Sequence, residues 1–340
     1  MLLDEDRAGA ARAAGPTRRP RRIALTAGLA APHPSLWALV AVIVAADAAG
    51  LAVAGVAIAG PGLAAVTATV ALLLAAAFLC SAVKPEPKLR AMALSSAYLL
   101  AFTAAVAVLH VLAAMLALPL ADAGLARIER ALGFDGPAYL AFLADHPGLA
   151  HGLALAYHSS GPQIGLVVVV LSAVGRTRRL WTFARLFSLS LLACVLLSAL
   201  FPAAGTYAHH AAGRLPDGHL ETIGALWHLD ALRALREGSL DTIALSEIRG
   251  LVTFPSFHAC LAVLTAWALA PLPGIGPLAV VLNAAIVVAA IGAGGHYLPD
   301  ILAGAGLAGV LVALHRRRRP GKVRVPAAAV AAAPPMKAAA

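Results

Sequence analysis

About eight apolar runs divide this chain, most of them close to the roughly twenty residues that a helix needs to cross a bilayer. They cover Leu36–Ile58, Gly62–Val83, Ala91–Leu118, Gly148–Val174, Leu180–Leu200, a stretch from Leu251, Pro277–Ala293 and Leu298–Leu314. Hydrocarbon offers no partner for a backbone N–H or C=O, so segments of this kind fold as helices bonded within themselves. A hydrophobic fraction of 61%, 12% charged residues and a mean hydropathy of +0.86 agree with an all-α polytopic membrane protein. In a soluble domain the net charge of +10 would suggest nucleic acid. Here the basic residues gather in Arg18–Arg22, Lys84–Arg90, Arg176–Arg179 and Arg316–Arg319, between apolar runs, where they set orientation. No nucleic-acid partner is expected. Cys80, Cys194 and Cys260 all fall inside apolar runs and read as small buried hydrophobes.

The expected organisation is a basic, disordered tail (1–34), two N-terminal membrane helices (35–90), a six-helix membrane domain (91–315) and an Ala/Pro-rich disordered tail (316–340). The first run reads as a retained helix, since no convincing cleavage site follows it. Asp47 inside it reads as a polar helix-packing residue. Ala121–Leu132 and Pro137–Ala144 carry charges at helical spacing, as a pair of short helices on the membrane surface would. Tyr157, His158, Ser159, Ser160 and Gln163 lie within the fourth run and should face the bundle interior, either as a structural network or as substrate contacts. The only long polar insertion runs from 202 to about 250, with a helix expected over His228–Glu237. Alternating the spans from a cytoplasmic N-terminus puts the four basic clusters on one side and this insertion on the other. Both termini are then cytoplasmic, and the bias suits a bacterial plasma membrane.

Two polar stretches border the late apolar runs: Phe254-Pro255-Ser256-Phe257-His258 and Gly294-Gly295-His296-Tyr297-Leu298-Pro299-Asp300. With a helix starting near Leu298, Asp300 can hold one nitrogen of His296 and leave the other free to act as a nucleophile or base. Ser256 and His258 open an apolar helix, whose free N–H groups favour an anion. A nucleophilic histidine, an anion cradle and a second histidine suggest phosphoryl transfer.

These stretches resemble the second and third signatures of the type 2 phosphatidic acid phosphatase superfamily, most closely its branch containing inositol phosphorylceramide synthases. The usual Pro-Ser-Gly-His reads Pro255-Ser256-Phe257-His258 here. In the third signature His296 and Asp300 fit, whereas Ala289 and Ala290 stand at the Ser-Arg positions; the first signature, Lys then six residues then Arg-Pro, is absent. The resemblance implies that His296 attacks phosphorus, Asp300 orients and charge-stabilises it, and His258 protonates the leaving oxygen. Ser256 and Gly295 would hold or admit the phosphate. The place of the first signature is the outer end of the fifth span, 201–210, where His209 or His210, or Arg214 or Arg249 beyond it, would supply charge. Fewer fixed cations suit a singly charged phosphodiester, so headgroup transfer stands beside hydrolysis. A serine-hydrolase triad lacks its Gly-x-Ser-x-Gly elbow. His209 and His210, adjacent in sequence, are expected to point apart and make a poor metal pair. A transporter or scaffold built around His158 and Gln163 would call for an inverted repeat, and none is evident. The reading is a membrane enzyme acting at the outer leaflet on a lipid phosphate, without metal or cofactor.

Overall fold

The computed structural model describes residues 34–210, 224–248, 250–251 and 253–317. Arg214, Arg249 and most of the two expected tails lie outside the described residues. Three long helices come first: α1 (Pro34–Ala54), α2 (Gly60–Ala82) and α3 (Pro87–Met115). Two short ones, α4 (Asp122–Ala131) and α5 (Gly136–Asp145), precede α6 (Pro147–His158), α7 (Ser160–Ala173) and α8 (Thr177–Leu200). The insertion carries α9 (Thr206–His210) and α10 (Leu229–Glu237), and the chain closes through α11 (Phe257–Leu269), α12 (Ile275–Gly292) and α13 (Leu298–Arg317). Among the described residues, six helices are long and apolar enough to cross a membrane, or seven if α6 and α7 form one span. The chain is thus an all-α integral membrane protein.

Two of the eight expected spans differ from the sequence reading. The fourth bends by 45° between α6 and α7, where the Ser159 hydroxyl donates back to the Ala156 carbonyl and the helix restarts. The sixth starts at Phe257 instead of Leu251 and has 13 residues, about 20 Å of helix at 1.5 Å per residue. Its start is set by Ser256, whose Oγ accepts the Ala259 N–H at 3.3 Å as an N-cap. Being short, α11 does not need its own hydrocarbon-facing surface; it is wrapped by α7, α8, α12 and α13.

Close packing around α11 depends on one missing side chain. A Cβ at Gly304 on α13 would overlap the Ser256 carbonyl, so only glycine lets α13 lie against the first turn of α11. At the far end, Arg179 of α8 stacks over Trp267, 4.2 Å from its ring centre, and donates to the Trp267 and Ala268 carbonyls. A cation there satisfies carbonyls that the last turn of α11 leaves open. Lys88 approaches Gly175 at this end, and His315 packs near Trp267. The described basic residues of three clusters therefore gather at one end of the bundle, and the two polar stretches sit at the other.

α3 is the second organiser. It packs on α1, α2, α7, α8 and α10, burying Tyr98 and Phe102 beside Trp37, Trp181 and Phe187. Tyr98 and Ser188 hydrogen-bond across α3 and α8 at 2.6 Å, which satisfies the buried Tyr98 hydroxyl. A two-residue parallel pair, β1 (Ala57–Ile58) with β2 (Thr242–Ile243), ties the α1–α2 turn to the polar insertion. Cys194 and Cys260 are buried and Cys80 half-buried; all three are free thiols.

Candidate active site

The site is built where the loop between α12 and α13 meets the start of α11. His296 is 2% exposed. Its backbone N–H donates to the Ala290 carbonyl at 3.2 Å, and its Nδ1 lies 3.0 Å from the Thr253 carbonyl. A carbonyl can only accept, so Nδ1 carries the proton and Nε2 keeps its lone pair. Asp300 stands just behind, its Oδ2 at 3.5 Å from Nδ1. The sequence reading gave orientation of this ring to Asp300 alone; the shorter contact is to main chain. Asp300 Oδ2 accepts the Tyr297 N–H at 3.0 Å, while its Oδ1 is buried without a hydrogen-bond partner. Burial holds the His296 imidazole down to about 4, against the opposite pull of the Thr253 carbonyl, so the ring is neutral at physiological pH.

His258, on the first turn of α11, has its ring centre 6.4 Å from that of His296. Its Nδ1 meets the Tyr157 hydroxyl at 3.0 Å, and the two rings stack at 4.3 Å. Tyr157, at the end of α6, therefore fixes the second histidine. The polar cluster of the fourth span thus splits by role: Tyr157 serves His258, whereas Gln163 binds Ser159 and Asn283 and crosslinks α7 to α12. Ser256 is fully buried, its hydroxyl accepting the N-cap bond and its N–H donating to the Asp300 carbonyl at 2.9 Å.

Two acids that sequence reasoning left unassigned brace the loops around this centre. Asp122, at the start of α4, accepts from the N–H groups of Ala204 and Gly205 and from the Tyr297 hydroxyl, at 3.0, 2.8 and 3.0 Å. One helical face further along, Glu129 accepts the Leu298 N–H at 2.8 Å and so caps α13, the helix that carries Asp300. Burial raises the Glu129 carboxyl, and the Leu298 N–H pulls it back. Their spacing of seven residues places both on one side of a helix, which was the available signal. The Thr206 N–H donates to the Gly295 carbonyl at 2.8 Å. Gly295 has φ +65°, and a Cβ there would come within 2.9 Å of Ala225, so the sharp turn before His296 requires glycine.

The segment 224–228 packs directly on this turn and brings in His228, which the sequence reading did not single out. His228 is buried; its Nε2 lies 3.2 Å from the Ala204 carbonyl, and its Nδ1 has no partner. Burial holds this imidazole down to about 4, with His296 acting in the same direction. His209 and His210 do not diverge as expected: their rings meet edge to face at 4.7 Å, and both flank Tyr297. His209 is exposed, and it is His210 that lines a cavity of about 280 Å³ with Arg130, Glu129 and Asp135, between α4 and α5. No group of three His, Cys, Asp or Glu side chains suited to a metal ion occurs among the described residues.

A buried, hydrogen-bonded histidine thus faces a second histidine inside a helical membrane bundle. The chain belongs to the PAP2 superfamily, whose sequence model matches residues 123–314, from the start of α4 to the last turns of α13. The match supports an activity on lipid phosphates in general. No curated protein and no solved structure matches the chain.

Proposed function

We propose that the protein transfers or hydrolyses a phosphate-bearing lipid headgroup at the outer leaflet through a phosphohistidine on His296. The observation that carries this reading is the engagement of His296 Nδ1 by the Thr253 carbonyl, which leaves Nε2 as the free nitrogen. Attack by Nε2 on phosphorus makes the ring cationic, and Asp300, 3.5 Å away with one oxygen unpartnered, stabilises that charge. His258 in its protonated form can donate from both nitrogens, Nδ1 to Tyr157 and Nε2 to the departing oxygen. An incoming water or alcohol returns its proton to His258 as the phosphohistidine is resolved.

The acceptor separates two variants of this reading. The third-signature Arg position is Ala290, fully buried against Tyr157 and Ala289, so that cation is missing. A site with less fixed positive charge favours a phosphodiester over a phosphomonoester dianion, as headgroup transfer in the inositol phosphorylceramide synthase branch would need. Purified protein given labelled lipid phosphates, with and without inositol-type acceptors, decides between them. A labelled lipid product only with acceptor supports transfer; free phosphate without it supports hydrolysis; neither product rejects both. Turnover is expected to be unchanged by EDTA.

His258→Ala is expected to lower turnover of ordinary alkyl esters about 10²–10⁴-fold. It should retain much of the activity on a nitrophenyl ester, whose leaving group needs no proton. Equal losses on both substrates would remove His258 from the acid role.

Phosphate charge is expected to be met in part by His228, next to the His296 turn. His228 can meet it only as a cation, because its Nε2–H is committed to the Ala204 carbonyl and a neutral ring offers phosphate the lone pair of Nδ1; the charge of a bound phosphate would raise this imidazole from about 4. His228→Ala should raise KM more than it lowers kcat, whereas His209→Ala, at an exposed position, should change KM little. The reverse order would return the role to His209, with Arg214 the next residue to test.

The outward-facing site predicts that cysteines at Lys84 and Arg178 are labelled only from the cytoplasm and one at Ser239 only from outside. Labelling of 178 and 239 from the same side would exclude this orientation.

A further inference from the structure

Outside the matched region, α1, α2 and α3 enclose a cavity of about 360 Å³. It is a groove open on one side, several times larger than the about 30 Å³ that one water occupies in the liquid. Val44 and Leu63, 51% and 47% exposed, stand at its mouth between α1 and α2, so it opens sideways into the bilayer. Ile58 and Leu245 close the end beside the β1–β2 pair, the same end of the bundle as the insertion around the active site.

Its walls are Val, Leu, Ile and Ala with two polar side chains, the exposed Thr67 and one ionisable group, Asp47. Asp47 is 5% exposed, and its Oδ1 is buried with no hydrogen-bond partner. An unmatched carboxyl oxygen among apolar groups is costly, so the site lacks a donor for Asp47. Asp47 lies seven residues before Ala54, the end of α1, roughly 10 Å deep at 1.5 Å per residue. A charged lipid headgroup does not reach that depth. An ammonium would need acceptors for three donors, and beyond Asp47 the walls offer only the Thr67 hydroxyl; a hydroxyl needs one acceptor.

We propose that this cavity binds a neutral lipid alcohol, with the apolar chain between α1 and α2 and its single hydroxyl donating to Asp47. The ligand enters from the membrane, and the site is independent of the phosphoryl-transfer reading.

The test uses full-length protein in nanodiscs and three photoreactive probes with the same diazirine-bearing C16 chain: the alcohol, its methyl ether and the primary amine. Labelled peptides are mapped by mass spectrometry. The alcohol is expected to label the segments 40–51 and 63–70 at least fivefold more than the ether or the amine. Asp47→Asn, which keeps an acceptor, should retain this preference, and Asp47→Leu should reduce alcohol labelling to the ether level. Val44→Trp at the mouth should lower labelling by all three. Equal labelling of wild type by alcohol and ether overturns the proposal even if a variant fails to fold. So does stronger labelling by the amine, or full alcohol labelling in a folded Asp47→Leu protein.

Discussion

Replacing His296 by Ala is expected to reduce turnover by more than about a thousandfold and to abolish trapped phosphohistidine. The effect follows from the bonding of the ring: Nδ1 is committed to the Thr253 carbonyl, so in the proposed reaction Nε2 is the atom left to bond phosphorus. Asp300→Asn should fall between wild type and His296→Ala, because it keeps the shape behind the ring and withdraws the charge that the phosphorylated imidazole needs. The pH dependence has a definite sign. Burial lowers the His296 imidazole to about 4, so protonation removes the attacking lone pair only as pH falls through that value, well below an ordinary histidine. Quench-flow trapping with a phosphodiester substrate should show phosphohistidine forming at an unchanged level from pH 7 to about 5 and disappearing below. Acid-labile phosphate on His258, or near-normal activity in a folded His296→Ala protein, would contradict this assignment.

Gly304→Ala is expected to be the most damaging substitution away from the reacting groups. The added methyl would overlap the Ser256 carbonyl, which is backbone and buried, so α11 and α13 must separate. Overpacking of this kind costs about 1–3 kcal/mol of stability. The larger effect is on chemistry, since α11 carries His258 and α13 carries Asp300. A misplacement of about 1 Å between such groups can cost roughly 10²-fold in rate. The expected outcome is a folded protein of normal helicity, somewhat lower Tm and about a hundredth of the activity. Gly306→Ala, two residues on, meets nothing within 4 Å and should leave both unchanged. Comparable activity in the two variants would show that the α11–α13 approach does not set the site.

The helical membrane class, the start of α13 at Leu298 and a helix opening near Ser256 and His258 were legible because hydropathy and helix-end signals are local properties of sequence. The lengths of individual spans were less so. Residues 251–256 are apolar enough to extend α11, but the cap at Ser256 and the loop contacts of Thr253 keep them out of the helix. Tyr157 stood out as an intramembrane polar residue, yet its partner 101 positions away has no sequence signal. Asp122 and Glu129 looked like ordinary charges of a surface helix; their acceptors and donors come from three loops that only the fold assembles. His228 was hidden at the start of an amphipathic helix. The divergence expected for His209 and His210 failed because Tyr297 offers both rings the same apolar surface.

The acceptor that holds His296 is a carbonyl, and every amino acid has one. Substitutions at 253 that leave the local backbone path intact therefore preserve the tautomer of the His296 ring, whatever side chain they bring. Thr253 is itself buried with its hydroxyl held by the Ala203 carbonyl, so a saturation scan should tolerate only residues of similar size there, a packing constraint separate from the carbonyl it contributes. Selection at this point acts on the shape of the chain, and the residues through which that shape can be damaged are its neighbours: Ala203, which accepts the Thr253 hydroxyl, and the glycines on which the adjoining turns depend.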